Sequence, residues 1–194
     1  MKVIASSNYA LIVGGNSSNR EKNDYYATPP RAIDDLLSKT ELDENIWEPA
    51  CGGGHLSSRL KERGYTVYSS DLIDRGYEDF NEQYDFLNGK QKTFKGDIVT
   101  NPPFKYASEF IIRGLESIKK GHKVCMFLKV QFLEGQARKK ELFSRKELKH
   151  VFVYSKRIIT AKNGDFDKYK STALCNAWFV WEKGYNGLPS IDWI

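Results

Sequence analysis

The feature that most constrains this chain is Ile46-Trp47-Glu48-Pro49-Ala50-Cys51-Gly52-Gly53-Gly54-His55-Leu56. An apolar stretch there ends in a carboxylate and passes through three glycines into an amphipathic segment. Glycine reaches positive φ at no steric cost and lets a ligand approach the backbone, so this composition predicts a tight turn between a strand and a helix. Strand-like segments are expected at residues 45–48, 65–70, somewhere within 83–94, and at 97–100, 123–130, 150–154 and 177–181. Between them lie helix-like segments at 29–37, with Thr28 as N-cap, and at 56–63, 106–119 and 135–144. Alternation of this kind predicts an α/β fold with a mostly parallel, doubly wound sheet, about seven strands, an antiparallel last strand and helices on both faces.

The length of 194 residues suits one full hydrophobic core. Residues 1–23, rich in Ser, Asn and Gly, read as an N-terminal arm with a short strand at 10–13, and the domain is expected to span 24–194. No apolar run approaches the roughly 20 residues needed to cross a bilayer, and no secretory signal is visible, so the reading is cytoplasmic. The net charge of +5 favours a polyanionic partner. The three cysteines (Cys51, Cys125, Cys175) are odd in number and lack a CxxC spacing, and Cys125 and Cys175 lie in apolar runs as core residues. The three histidines form no metal-ligand pair, so no metal is expected.

A dinucleotide fold carries GxGxxG at such a turn and holds a pyrophosphate there. Here Ser57 stands where the third glycine would fall. Glu48 at the strand end is unfavourable beside a pyrophosphate but suits a ligand with an ammonium. S-adenosylmethionine has an ammonium and a sulfonium and carries no phosphate. Asp71 follows the next strand, 19 residues after Gly52, where a carboxylate is placed to accept from ribose hydroxyls.

A second informative stretch is Asp97-Ile98-Val99-Thr100-Asn101-Pro102-Pro103-Phe104. It sets Asn101 just past a strand's carboxyl end, the edge where ligands sit in open α/β sheets. Two prolines fix the backbone and lock carbonyl directions. An aromatic exocyclic amine is a poor nucleophile because its lone pair is delocalised into the ring. Two acceptors on its hydrogens, the Asn101 side-chain oxygen and the Pro102 carbonyl, would free that lone pair, and Phe104 could stack on the base. The sulfonium already activates the methyl, so positioning rather than a strong base does the work.

Together the two stretches resemble the Asn/Asp-Pro-Pro-aromatic amino-methyltransferases, especially the N6-adenine DNA methyltransferases, over roughly residues 24–183. The tail Ala177-Trp178-Phe179-Val180-Trp181-Glu182-Lys183-Gly184-Tyr185 is similar to small stand-alone phage or prophage members. The resemblance implies a Rossmann-like sheet and S-adenosylmethionine as cofactor. It implies cofactor contacts at Tyr26, Thr28 and Pro29 ahead of the glycine turn, and at Glu48, Ala50, Cys51, Gly52 and Gly54 around it. Asp71 and Leu72 would meet the ribose, and Asp85 and Phe86 the adenine. Asn101, Pro102, Pro103 and Phe104 would be catalytic. The family's recognition domain usually follows the catalytic one, and none is expected here.

Lys105 and the basic stretch Lys156–Lys170, with Arg157, Phe166 and Tyr169, are the candidates for substrate contact through phosphates and base stacking. Nucleic acid, DNA in preference to RNA, is the expected partner. The rivals are an RNA base-amine or protein-glutamine methyltransferase, and a non-catalytic binding protein with this fold.

Overall fold

In the computed structural model, residues 26–168 and 171–194 are described. The arm at 1–23, its strand at 10–13, and Tyr169 lie outside them. The elements run β1 (Tyr26–Ala27), α1 (Arg31–Leu37), β2 (Asn45–Glu48), α2 (His55–Glu62), β3 (Thr66–Asp71), β4 (Glu82–Gln83), β5 (Asp97–Thr100) and α3 (Ala107–Ser117). They continue through β6 (Lys123–Lys129), α4 (Gln136–Glu141), β7 (Leu148–Val153), β8 (Ala161–Lys162), β9 (Asn176–Glu182) and β10 (Ser190–Trp193).

Eight strands form one sheet in the order β10-β7-β9-β6-β5-β2-β3-β4, and β1 pairs with β8 in a separate ribbon. The run β4-β3-β2-β5-β6 is parallel throughout. Strand β9 is antiparallel to both β6 and β7. The chain winds outward from β2 through β3 to β4, then returns to β5 on the other side of β2. Loops leaving β2 and β5 therefore diverge, and a crevice opens between them at the carboxyl edge.

The central strands alternate their side chains between two cores. Trp47, Ile98, Met126, Phe179 and Trp181 face α3, while Ile46, Val99, Phe127, Val180 and Trp178 face α1 and α2. Helices thus cover both faces, as the alternation predicted. Buried indole donors are satisfied: Trp47 Nε1 donates to Ser70 Oγ at 2.9 Å and Trp178 Nε1 to the Ala32 carbonyl at 2.9 Å. No helix among the described residues is long and apolar enough to cross a membrane.

Four expectations change. Residues 177–181 do form the antiparallel strand, but β10 follows and pairs parallel to β7, giving eight strands. All of β10 is exposed, so no apolar alternation toward a core announces it. The third strand is only two residues long, at Glu82–Gln83. Helix α1 is capped at Pro30 instead of Thr28, because Pro29 and Pro30 carbonyls already take the first helical amides. Cys175 is exposed just ahead of β9 and is not a core residue.

Candidate active site

The crevice at the β2–β5 divergence is a cleft of about 1320 Å³. Nine of the residues expected around the cofactor line it: Tyr26, Thr28, Glu48, Ala50, Cys51, Asp71, Leu72, Asp85 and Phe86. Asn101, Pro102, Pro103, Phe104 and Lys105 line the same cleft. One space therefore joins the glycine turn to the Asn-Pro-Pro-Phe turn.

The glycine turn is built by strand register and positive φ. Gly52 and Gly54 have φ of 55° and 80°. Cys51 N–H donates to the Ser70 carbonyl and Gly54 N–H to the Cys51 carbonyl. Gly52 N–H donates to Asp71 Oδ2 at 2.8 Å, which ties the turn to the end of β3. Gly52, Gly54 and Pro29 do not line the cleft: the turn shapes it, while its neighbours Ala50, Cys51, His55 and Leu56 form the wall.

Three carboxyl groups stand along this wall, and each is held. Asp71 accepts from Gly52 N–H and, through Oδ1, from Ile73 N–H at 3.0 Å. A carboxylate has about four acceptor sites, so capacity remains for a hydroxyl. Asp85 Oδ1 accepts from the backbone of Leu87 and Asn88, and Oδ2 from Asn88 Nδ2. The Asn88 backbone bond chiefly holds its carboxyl below the usual range. Glu48 is different. It is buried, and burial pushes its carboxyl up to about 8, helped by the Asp71 charge and opposed by bonds from Ser57.

Past β5, the Asn101 amide is oriented by one bond: Nδ2 donates to the Tyr26 carbonyl at 2.8 Å. Its Oδ1 is buried without a hydrogen-bond partner. Buried acceptors are ordinarily paired, so this atom and the unpartnered Thr28 Oγ1 stand out near the mouth of β5. Tyr26 belongs to the β1–β8 ribbon, so the ribbon fixes which way Asn101 faces. Phe104 opens a 3-10 turn, and Lys129 Nζ lies 5.0 Å from its ring centroid.

Among the described residues of the basic stretch, none lines the cleft. Arg157 is exposed and donates across its own loop to the Thr172 carbonyl at 2.8 Å. Phe166 packs edge-on against His55, ring centroids 5.5 Å apart, beside the glycine turn. Neither residue lines the cleft. An aromatic amid lysines looks the same in sequence whether it faces a base or a neighbouring helix.

Arg113 gave no sequence signal, and neither did the packing around Phe86, a residue itself expected at the cofactor's adenine. Arg113 on α3 reaches back to the Phe86 and Gly89 carbonyls and fixes the loop carrying Asp85. Phe86 sits between Trp47 and Phe110, 5.1 and 5.0 Å away, as a rigid apolar wall. Only long-range packing makes these roles, so spacing along the chain could not reveal them. Three carboxyl groups, the apolar wall at Phe86 and Phe110 and the unpartnered Asn101 Oδ1 thus belong to one cleft whose chemistry fits S-adenosylmethionine.

No family model matches the chain, and no curated protein matches it. Solved structures do. A protein from Listeria monocytogenes provisionally assigned as a class I S-adenosylmethionine-dependent methyltransferase matches with TM-score 0.52 and 13% identity, over 84% of this chain and 61% of that one. The modification subunit of a provisionally assigned type I restriction enzyme from Vibrio vulnificus YJ016 matches with TM-score 0.58 and 11% identity, over 84% and 45%. A provisionally assigned RNA methyltransferase from Pyrococcus horikoshii matches with TM-score 0.56 and 16% identity, over 90% and 95%. The chain spans less than two thirds of the first two structures. At these identities the likeness is one of fold: the chain has the Rossmann-like fold of S-adenosylmethionine-dependent methyltransferases.

Proposed function

We propose that the protein transfers a methyl group from S-adenosylmethionine to the exocyclic amine of a nucleic-acid base, adenine N6 in DNA. The observation that carries this reading is Asn101, whose amide is anchored by the Tyr26 carbonyl and whose Oδ1 is left buried without a partner. It stands in the cleft that also holds Glu48, Asp71 and Asp85.

When bound, S-adenosylmethionine supplies an electrophilic methyl on a positive sulfur. Glu48 meets the ammonium of its methionine part, Asp71 the ribose hydroxyls and Asp85 the adenine amino group. Asn101 Oδ1 and the Pro102 carbonyl accept the two hydrogens of the target amine, drawing its lone pair out of the ring. Phe104 stacks on the base, and an extruded or unpaired base is required to reach it. Pre-aimed acceptors need no reorganisation at the moment of transfer, which is their catalytic contribution. The proton released from the methylated nitrogen passes to water. Lys105, which lines the cleft beside Phe104, holds the phosphate of the target nucleotide.

The test uses tritiated cofactor with DNA, RNA and protein acceptors, alongside single-molecule sequencing of DNA from a host lacking adenine methylation. Label in DNA at adenine N6 is expected. Asn101→Ala should cut turnover by at least about a hundredfold, the cost of losing one aimed hydrogen-bonding group, with S-adenosylhomocysteine affinity retained. Label in RNA or protein alone rejects DNA as substrate, and wild-type turnover by the variant rejects the mechanism.

A further inference from the structure

We propose that Ser57 and Ser69 form a buried hydroxyl relay that positions the Glu48 carboxyl for the amino group of the cofactor's methionine part, and that cofactor binding there expels a proton. This rests on the cofactor reading above.

The relay spans three elements. Glu48 ends β2, and Ser69 is its register partner on β3. Ser57 lies in the first turn of α2, at the position where a dinucleotide turn would need its third glycine for close helix–strand packing. The Ser57 hydroxyl donates to Glu48 Oε2, and Ser57 Oγ lies 2.7 Å from Ser69 Oγ. Both serines are fully buried, so water cannot substitute for either hydroxyl. Ser69 is held from behind, its backbone N–H donating to Asn81 Oδ1 at 2.7 Å.

A serine in the first turn of a helix usually bonds nearby backbone or solvent. Here it turns inward and touches Glu48, whose carboxyl is the one raised by burial among the described residues. With Glu48 ionised, Ser69 donates to Ser57 and Ser57 to Glu48, so both hydroxyl dipoles point at the carboxylate. The other neighbours do not favour its charge. Asp71 opposes it, and the Cys51 thiol and Tyr77 hydroxyl are themselves driven toward their neutral forms by burial first and by the Glu48 charge among other causes. Burial therefore favours the protonated form of Glu48 while no cation stands beside it.

An ammonium arriving in the cleft supplies the missing cation. The balance is one Glu48 carboxylic acid and one ligand ammonium giving a carboxylate–ammonium pair and one proton, which goes to the buffer. Ser57 and Ser69 are positioning residues in this step, because they act only through Glu48.

The test is calorimetric titration of the full chain with S-adenosylhomocysteine at pH 7, in phosphate and in Tris buffer, whose different ionisation enthalpies count released protons. Wild type is expected to release close to one proton more than Glu48→Gln. Ser57→Ala and Ser69→Ala should each weaken binding at pH 7 by roughly tenfold, about 1.4 kcal/mol, with the deficit shrinking as pH rises toward 9. Equal proton release in wild type and Glu48→Gln overturns the proposal, as does a deficit that is absent or the same at every pH. Should Ser57→Ala fail to fold, Ser69→Ala alone decides the relay. No binding by wild type at pH 7 or 9 overturns the cofactor reading itself; binding without the proton difference overturns only this inference.

Discussion

At Gly54 the backbone and the packing make separate demands. Its φ is +80°, and an added Cβ would lie 2.2 Å from Cδ2 of the Tyr77 ring. Left-handed backbone costs a non-glycine residue about 1–2 kcal/mol, and overpacking typically costs about 1–3 more. Gly54→Ala should therefore lose roughly 2–5 kcal/mol in urea unfolding. Gly54→Ala combined with Tyr77→Ala should recover the steric share relative to Tyr77→Ala alone, leaving only the backbone share. If the two substitutions simply add, the ring is not what excludes a side chain there. The sequence made part of this legible: three glycines after Glu48 predict a tight turn, but nothing along the chain brings Tyr77 onto it. Ser57 shows the same limit. Its departure from the dinucleotide pattern was visible and spoke against a pyrophosphate site, yet its bond to Glu48 needed β2, β3 and α2 in place. The Asn101 turn was visible because it is local, a carboxamide one residue past a strand and ahead of two prolines.

At the scale of elements, strands with continuous apolar runs were legible, and the short or exposed ones were not. Strands β2 and β5 fall at residues 45–48 and 97–100, as their patterning predicted. Buried strands in a parallel sheet must be apolar on both faces, which leaves a mark in the sequence. Strands β4, β8 and β10 bury little and leave none. The β1–β8 ribbon matters most among these, because Tyr26 pairs with Lys162 and Ala27 with Ala161 while the Tyr26 carbonyl anchors Asn101. Ala161 is fully buried. Ala161→Glu would set a carboxylate in that space and open the ribbon, since a buried unpaired charge costs far more than two residues of pairing provide. The expected outcome is a fall in turnover of at least about tenfold, as one aimed group loses its orientation. Unfolding of the β6–β9 core followed by tryptophan fluorescence should be little changed. Unaltered turnover in a variant whose ribbon has opened would remove the ribbon from the mechanism.

Over the whole molecule, the raised Glu48 carboxyl links stability to pH in an unusual direction. Its folded value of about 8 lies above the ordinary 4.5. Between those values the native state holds a proton that the unfolded state has released, so this group's stabilising contribution is full below the lower value and is lost as pH rises toward 8. Each unit of difference corresponds to about 1.36 kcal/mol. The other shifted groups act elsewhere. Asp34 and Glu82, held below the usual range by Arg59 and Lys92 respectively, lose their contributions only in acid. His55 and His150, lowered by burial, weaken the fold only as pH falls through the ordinary histidine range. The interval from pH 7 to 8 therefore belongs to Glu48. There the empty protein should lose thermal stability as pH rises, while Glu48→Gln, unable to ionise, should not. A ligand that binds only the native state stabilises it by RT ln(1 + [L]/Kd), and at this size about 1 kcal/mol moves Tm by roughly 2–4 °C. Because S-adenosylhomocysteine supplies the cation that Glu48 lacks, its affinity for wild type should rise over the same interval. At fixed ligand concentration its thermal shift should grow by a few degrees from pH 7 to 8 in wild type and stay constant in Glu48→Gln. Parallel behaviour of the two proteins in differential scanning calorimetry would mean that Glu48 is already ionised in the empty cleft.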